Sequence, residues 1–167
     1  LMSHDGLLSV LSGKIVVVSS CTTEDILEVY DLIVLHQIYA VNICIAKGSQ
    51  AAIDALSEVS ANMDQALAAG DIFQCTRWDQ KFHELLVEYA GNHRLQSIFE
   101  QLACQQMRFM TTVLEDASLA SRSQEEHRKI LDAIIAGDSQ AAAESIRTHY
   151  RHIKKYYVDK LLVRLQF

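Results

Sequence analysis

None of the 167 residues is proline. Proline is the residue that most reliably ends a helix, because it lacks a donor and clashes with the preceding turn. Its absence leaves the chain free to run in long uninterrupted helices, punctuated by glycine. Four glycine pairs, Gly48-Ser49, Gly70-Asp71, Gly91-Asn92 and Gly137-Asp138, place a stop residue directly before a residue able to cap a new helix. From Thr23 onward apolar residues recur with a helical period. Thr22-Thr23-Glu24-Asp25 supplies capping chemistry for a first helix predicted to reach about Ala46. The second carries Ile53, Leu56, Val59, Met63 and Leu67. The third carries Phe73, Trp78, Phe82, Leu85, Leu86 and Tyr89, and the fourth runs from Asn92 to about Leu114. The mostly polar stretch 118–124 is predicted to be a joint, after which a fifth helix reaches Ala136 and a last one ends near Leu165. Short joints between amphipathic helices imply antiparallel neighbours. The expected fold is therefore all-α, an antiparallel bundle of about six to seven helices. The opening differs: Gly6 to Val18 has a β-branched run after a Ser-Gly turn, which predicts a short β-hairpin.

Half the residues are hydrophobic, enough for one well-filled core. The longest apolar stretch, Ile38 to Ala46, is interrupted by Asn42 and is too short to cross a bilayer. No secretory signal is visible, so the expectation is a cytoplasmic protein with no membrane partner. Cys21, Cys44, Cys75 and Cys104 form no CxxC pair and read as reduced thiols. Net charge is −6, with no face that collects Lys and Arg. Such a surface does not grip nucleic acid through its phosphates.

Asp79 and His83 stand at i and i+4, on the helix face that also carries Cys75, Phe82 and Leu86. His127 precedes the apolar stripe Ile130, Leu131, Ile134, Ile135 by one turn. His149 lies on the stripe Ile146, Ile153, Tyr156. His127 and His149 are equidistant from residue 138, inside the Gly137-Asp138 turn, so an antiparallel hairpin brings the two imidazoles level. An ionised carboxylate in an apolar layer costs several kcal/mol unless it is paired or binds a metal. Two readings are open from spacing alone. Each polar residue is satisfied separately by hydrogen bonds, or all four hold one divalent cation. Three His and one Asp suit Zn first, and Ni, Co or Mn as well, with open positions for further ligands.

The stretch Trp78-Asp79-Gln-Lys-Phe82-His83, followed by Ala90-Gly91-Asn92-His-Arg-Leu95, resembles the D-x-x-F-H…(S/A)-G-N-x-x-L signature of the FadR-type C-terminal (FCD) domain of GntR transcription regulators. Ser123-Gln-Glu-Glu126-His127-Arg-Lys-Ile130-Leu-Asp-Ala133-Ile134-Ile-Ala-Gly137-Asp138 is similar to that family's E-H-x-x-I-x-x-A-I-x-x-G-D segment. Ala143-Glu-Ser-Ile-Arg147-Thr-His149 is similar to its closing A-x-x-x-(R)-x-H. The resemblance spans roughly residues 24 to 160. It implies a divalent metal deep in the bundle, with Asp79, His83, His127 and His149 as ligands. It also implies that residues 1–22 are the tail, or wing, of a winged helix-turn-helix domain and that residues 23–167 are the effector-binding domain. A homodimer follows, since two-fold DNA sites need paired heads. Operator DNA would be contacted only through a winged helix-turn-helix largely absent from this chain.

Where the family commonly places an Arg and a Glu on the first helix after Tyr30, this chain has Ile33 and Gln37. A carboxylate effector must then lean on the metal or on another cation, and Arg108, Arg122 and Arg147 are the candidate effector-binding residues. His152 is expected to face solvent, and Cys75 to be a buried inert thiol. The function expected from this resemblance is sensing of a small organic acid by a bacterial transcription regulator, not catalysis. The alternatives are a metal-dependent hydrolase-like enzyme, for which Glu84 and Glu126 point about 100° away from the neighbouring histidines, and a purely structural metal domain.

Overall fold

The computed structural model describes residues 8–11, 15–18, 22–110 and 116–164. Two short strands, β1 (Leu8–Leu11) and β2 (Ile15–Val18), pair antiparallel with Leu8 opposite Val18 and Leu11 opposite Ile15, the hairpin that the β-branched run implied. Six helices follow among the described residues: α1 (Thr23–Lys47), α2 (Gln50–Ala68), α3 (Ile72–Ala90), α4 (His93–Met110), α5 (Ala117–Ile135) and α6 (Ser139–Arg164). The all-α bundle is as expected, with six helices.

The caps are those the sequence advertises. Thr22 and Asp25 form a capping box, Thr22 Oγ1 accepting from the Asp25 N–H at 3.1 Å while the Asp25 carboxylate accepts from the Thr22 N–H at 2.8 Å. Ser49 and Asp71 cap α2 and α3, and Asn92 accepts from the N–H groups of Arg94 and Leu95. Residues 118–124, predicted to be a joint, are instead helical within α5. Asp116 caps that helix by accepting from the N–H groups of Ser118 and Leu119. The polarity of the stretch has another cause: Ser123 and Gln124 are buried and face the interior site. The predicted end of the fourth helix near Leu114 and of the sixth near Leu165 lie outside the described residues.

α1 is the axis of the bundle and packs against α6, α3 and α4. It is also long and apolar enough, by length and composition, to cross a membrane, which no single apolar run in the sequence suggested. Its neighbours account for that character, since Ile26, Tyr30, Ile33, Val41 and Cys44 are all buried in the core. A row of Leu32, Leu35 and Tyr39 remains exposed on its far side. α2 packs on α3 and α5, and α5 on α6, so that α3, α5 and α6 enclose the centre.

The α3–α4 corner depends on a close approach. Gly91 ends α3 in the left-handed region (φ 68°), and Lys47 Nζ donates to the carbonyls of Tyr89 and Ala90 at 3.2 and 2.8 Å. A Cβ at Gly91 would stand 2.7 Å from that Nζ, whereas one at Gly48 (φ 56°) meets nothing within 4 Å. The left-handed backbone alone costs an alanine about 1 kcal/mol. Gly48→Ala is therefore expected to lower stability by about 1 kcal/mol and Gly91→Ala by about 2 kcal/mol, because the lysine cap is also displaced. Urea unfolding measures both, and the difference should close in a Lys47→Met background.

Candidate metal centre

The i, i+4 ladder of α3 carries Cys75, Asp79 and His83 toward the interior, with Phe82 and Leu86 fully buried beside them. α5 brings Ser123 and His127, and α6 brings His149 and Tyr150. Ring centroids of His127 and His149 are 4.6 Å apart, the level placement that symmetry about residue 138 implied. Of the described residues, Asp79, His83, His127 and His149 bring one ligand-capable atom each to within 4.8 Å of one another. His83, His127 and His149 are buried and Asp79 is partly buried.

Hydrogen bonds set which ring atoms face inward. His149 Nδ1 meets the Glu126 carboxylate at 3.1 Å, and His83 Nδ1 meets Gln37 Oε1 at 3.4 Å. Both partners are acceptors, so both Nδ1 atoms carry the proton and both Nε2 lone pairs are left for the centre. Gln37 also donates to the His83 carbonyl at 3.1 Å, clamping the residue at two points. Ser123 Oγ donates to Asp79 Oδ1 at 2.8 Å. His127 is the exception. Its Nδ1 is buried without a partner, while its Nε2 stands 3.0 Å from His83 Nε2 and 3.6 Å from Asp79 Oδ1. Burial, followed by the neighbouring imidazoles, holds both His83 and His127 well below the ordinary histidine range. Neutral rings with nitrogens aimed at one point and a carboxylate at the rim are a donor set for a divalent cation. Two nitrogens each about 2.1 Å from one ion lie about 3.0 Å apart at a right angle and about 3.4 Å apart at the tetrahedral angle, and the His83–His127 separation is 3.0 Å. The four residues fit such an ion.

Beside the tetrad lies a cavity of about 60 Å³, lined on its polar side by Asp79, His83, His149, Gln106, Ser123 and Gln124 and on its apolar side by Met63, Ile72, Leu119 and Ile153. Cys75 lines it too, and burial pushes its thiol up to about 11, which keeps it protonated. Cys44, Cys75 and Cys104 are free thiols. No Lys or Arg among the described residues lines this cavity. Arg122 donates to Glu126 at 3.2 Å with its side chain half exposed, and Arg147 pairs with Glu144 on the surface at 3.6 Å. Neither is a cavity residue, and the Arg108 side chain lies outside the described residues. Ile33 is fully buried core.

The sequence reading missed the residues that hold the ligands. In the sequence Gln37 stands out as a departure from the family pattern, and a polar residue on the stripe Tyr30, Ile33, Val41 is the readable sign of a buried partner. Glu126 does turn away from the His127 direction, toward α6, where it accepts from His149 and His152, and it also accepts from Arg122 on its own helix. Burial pushes its carboxyl up, but the bonds from both histidines outweigh that and leave it below the usual range. His152, expected to face solvent, is held by that carboxylate with its side chain only 29% exposed.

These shifts set an acid limit for the protein without metal. Folded His83 and His127 resist protonation, whereas the unfolded chain takes up those protons near pH 6.5. Their contribution is therefore intact above about pH 6.5 and is lost as pH falls, at up to about 1.4 kcal/mol per pH unit for each ring. The urea midpoint of chelator-treated protein should hold steady from pH 8 to 7 and fall steeply from 6.5 to 5. A flat profile to pH 5 contradicts the assignment.

Residues 28–152 match the FCD domain family. An uncharacterised HTH-type transcriptional regulator of Bacillus subtilis, YdhC, is 24% identical over 158 residues, covering 91% of this chain and 68% of that protein. E. coli McbR/YncC superposes with a TM-score of 0.83 at 16% identity, over 95% of this chain and 80% of that one. The FCD domain of TM0439, solved metal-free, superposes with a TM-score of 0.74 at 17% identity, over 87% of this chain and 99% of that one. With the family match running through all four residues of the tetrad, the chain belongs to the FCD family, the effector-binding helical domain of GntR-type transcription regulators.

Proposed function

We propose that this domain senses a small organic acid through a divalent metal, zinc by preference, held by Asp79, His83, His127 and His149. The observation that carries the reading is the convergence of three imidazoles and one carboxylate beside a cavity that no described Lys or Arg lines. A divalent ion with one carboxylate and three neutral ligands leaves the site at about +1, in surroundings where charge is poorly screened. A carboxylate entering the cavity supplies both the missing oxygen ligands and the missing negative charge. A neutral ligand can supply oxygens but not the charge. Glu126 and Gln37 serve as the outer partners that keep His149 and His83 in the ligating tautomer.

The ligand would touch α2, α3, α5 and α6 together, so its binding favours one arrangement of these helices over another. In this reading residues 1–22 end a winged helix-turn-helix head, residues 23–167 form the sensor, and two copies pair so that the heads address a two-fold operator. Exclusion light scattering is expected to give a mass twice the 18.8 kDa of the chain at high protein concentration. A strict monomer counts against the pairing.

Elemental analysis tests the metal directly. The purified protein is expected to hold about one divalent ion per chain, His127→Ala to lose it, and Glu126→Gln to bind it about 10- to 100-fold more weakly while folding normally. Carboxylates should raise the melting temperature of the loaded protein, and the rise should vanish on chelation. Stabilisation by neutral compounds, indifferent to the chelator, would overturn the ligand class.

A further inference from the structure

The interior cavity has a depth and a mouth. Cys75, His83 and His149 line it from buried positions, whereas Ile72, Thr76, Asp116, Leu119 and Ala120 line it from partly exposed ones. The way in from solvent therefore runs past the starts of α3 and α5, and the first turn of α5 forms one side of it. A single carboxylate holds that turn, with its two oxygens assigned to different tasks. Asp116 Oδ1 caps the helix, accepting from the Ser118 N–H and hydroxyl at 3.0 and 2.6 Å and from the Leu119 N–H at 3.2 Å. Oδ2 reaches across to α6 and accepts from the Tyr156 hydroxyl at 2.6 Å. Bonds from Ser118 and then Tyr156 hold this carboxyl well below the usual carboxylate range, so the acceptor is an anion and the bond is charge-assisted. Lys160 Nζ stands 5.3 Å from the centre of the Tyr156 ring and steadies it.

We propose that the bond between Asp116 and Tyr156 is a latch on this mouth, which sets how often the interior opens to solvent. Leu119 and Ala120 pack on the core only partly buried, so the apolar anchorage of the turn is slight and the bond to α6 carries much of the closure. α6 itself is held in the core by Ile146, Tyr150 and Ile153 and stays in place. Swinging the turn away from α6 breaks the Tyr156 bond but leaves the cap whole, because the bonds to Ser118 and Leu119 are internal to the turn. Opening is thus a displacement of a capped helix end rather than its unfolding, at the low-cost end of local motions. The latch stands on the geometry of the cavity alone. That it controls traffic to a metal rests on the reading above, in which His83, His127 and His149, each at most 4% exposed, hold the ion. A latch stabilises the closed cavity whether or not an ion is bound. Its removal therefore speeds entry and exit alike and leaves affinity unchanged.

Cys75 is the probe, since it lies in the depth of the cavity at 3% exposure, while Cys44, equally buried, bonds the Leu86 carbonyl between α1 and α3 and serves as the control. Iodoacetamide alkylates each thiol as it becomes accessible, and peptide mass identifies which one has reacted. In the metal-free full chain Tyr156→Phe is expected to raise the alkylation rate of Cys75 about tenfold, the worth of one such bond, with Cys44 unchanged. Asp116→Ser keeps a capping oxygen and drops the one that meets Tyr156, so it is expected to match. Loaded with zinc, both variants are expected to yield the ion to a chelator about tenfold faster at unchanged affinity. A Cys75 rate that stays at the wild-type value in both variants overturns the latch. So does equal acceleration at Cys44, which is a general loosening of the bundle. Faster zinc release with a matching loss of affinity overturns the control of traffic, because a latch speeds uptake as well. A chain that takes up no zinc overturns the metal reading alone, and the alkylation rates then decide the latch without it.

Discussion

His83 and His127 face each other nitrogen to nitrogen at 3.0 Å in a layer shared with Phe82, Tyr150 and Ile130. Neutral imidazoles each carry one proton, and two of the three protons in this cluster are committed outward, to Gln37 and Glu126. What remains is an electron-rich centre with a carboxylate at its edge, enclosed where the charged imidazolium form is strongly disfavoured. The outer polar residues follow from that constraint. Gln37, Ser123 and Glu126 occupy buried or half-buried positions that an apolar residue would fill at lower desolvation cost. Each is placed to hold one member of the tetrad in orientation. In a bundle of this size a buried polar network is tolerable only when its members are satisfied. Among the described residues, the two buried side-chain atoms left over, His127 Nδ1 and Gln124 Oε1, both belong to α5.

Much of this was legible in one dimension. Helix ends could be read because Gly48, Gly70, Gly91 and Gly137 each precede a side chain whose oxygen takes up free N–H groups, a purely local effect. Spacing made two pairs legible, Asp79 with His83 by i, i+4 on α3 and His127 with His149 by symmetry about the Gly137-Asp138 turn, while their union in one site was what the resemblance to the FCD signature implied. What failed was anything that required knowing which face of a helix meets which neighbour. Ser123 and Gln124 read as a polar joint, since polarity from burial against a site and polarity from exposure look identical in sequence. Glu126 was rightly read as turned away from the direction of His127, yet α6 lies in the direction it turns. Arg122 and Arg147 do not line the cavity for the same reason: charge in the sequence says nothing about whether a side chain reaches the interior.

α1 supplies no member of the tetrad, yet the amide of Gln37 ties it to both the ring and the backbone of His83. That tie sits 14 residues along the helix from Thr23, where α1 begins just after the hairpin segment. At 1.5 Å per residue the arm from Gln37 to the start of α1 is about 21 Å long. α1 behaves as a stiff rod pinned at that point, so a tilt of about 5° carries its first turn through about 1.8 Å. The capping box of Thr22 and Asp25 keeps that first turn from fraying and absorbing the motion. A small tilt of α1 about the Gln37 tie is therefore magnified at its first turn, the end of the rod that follows the strands.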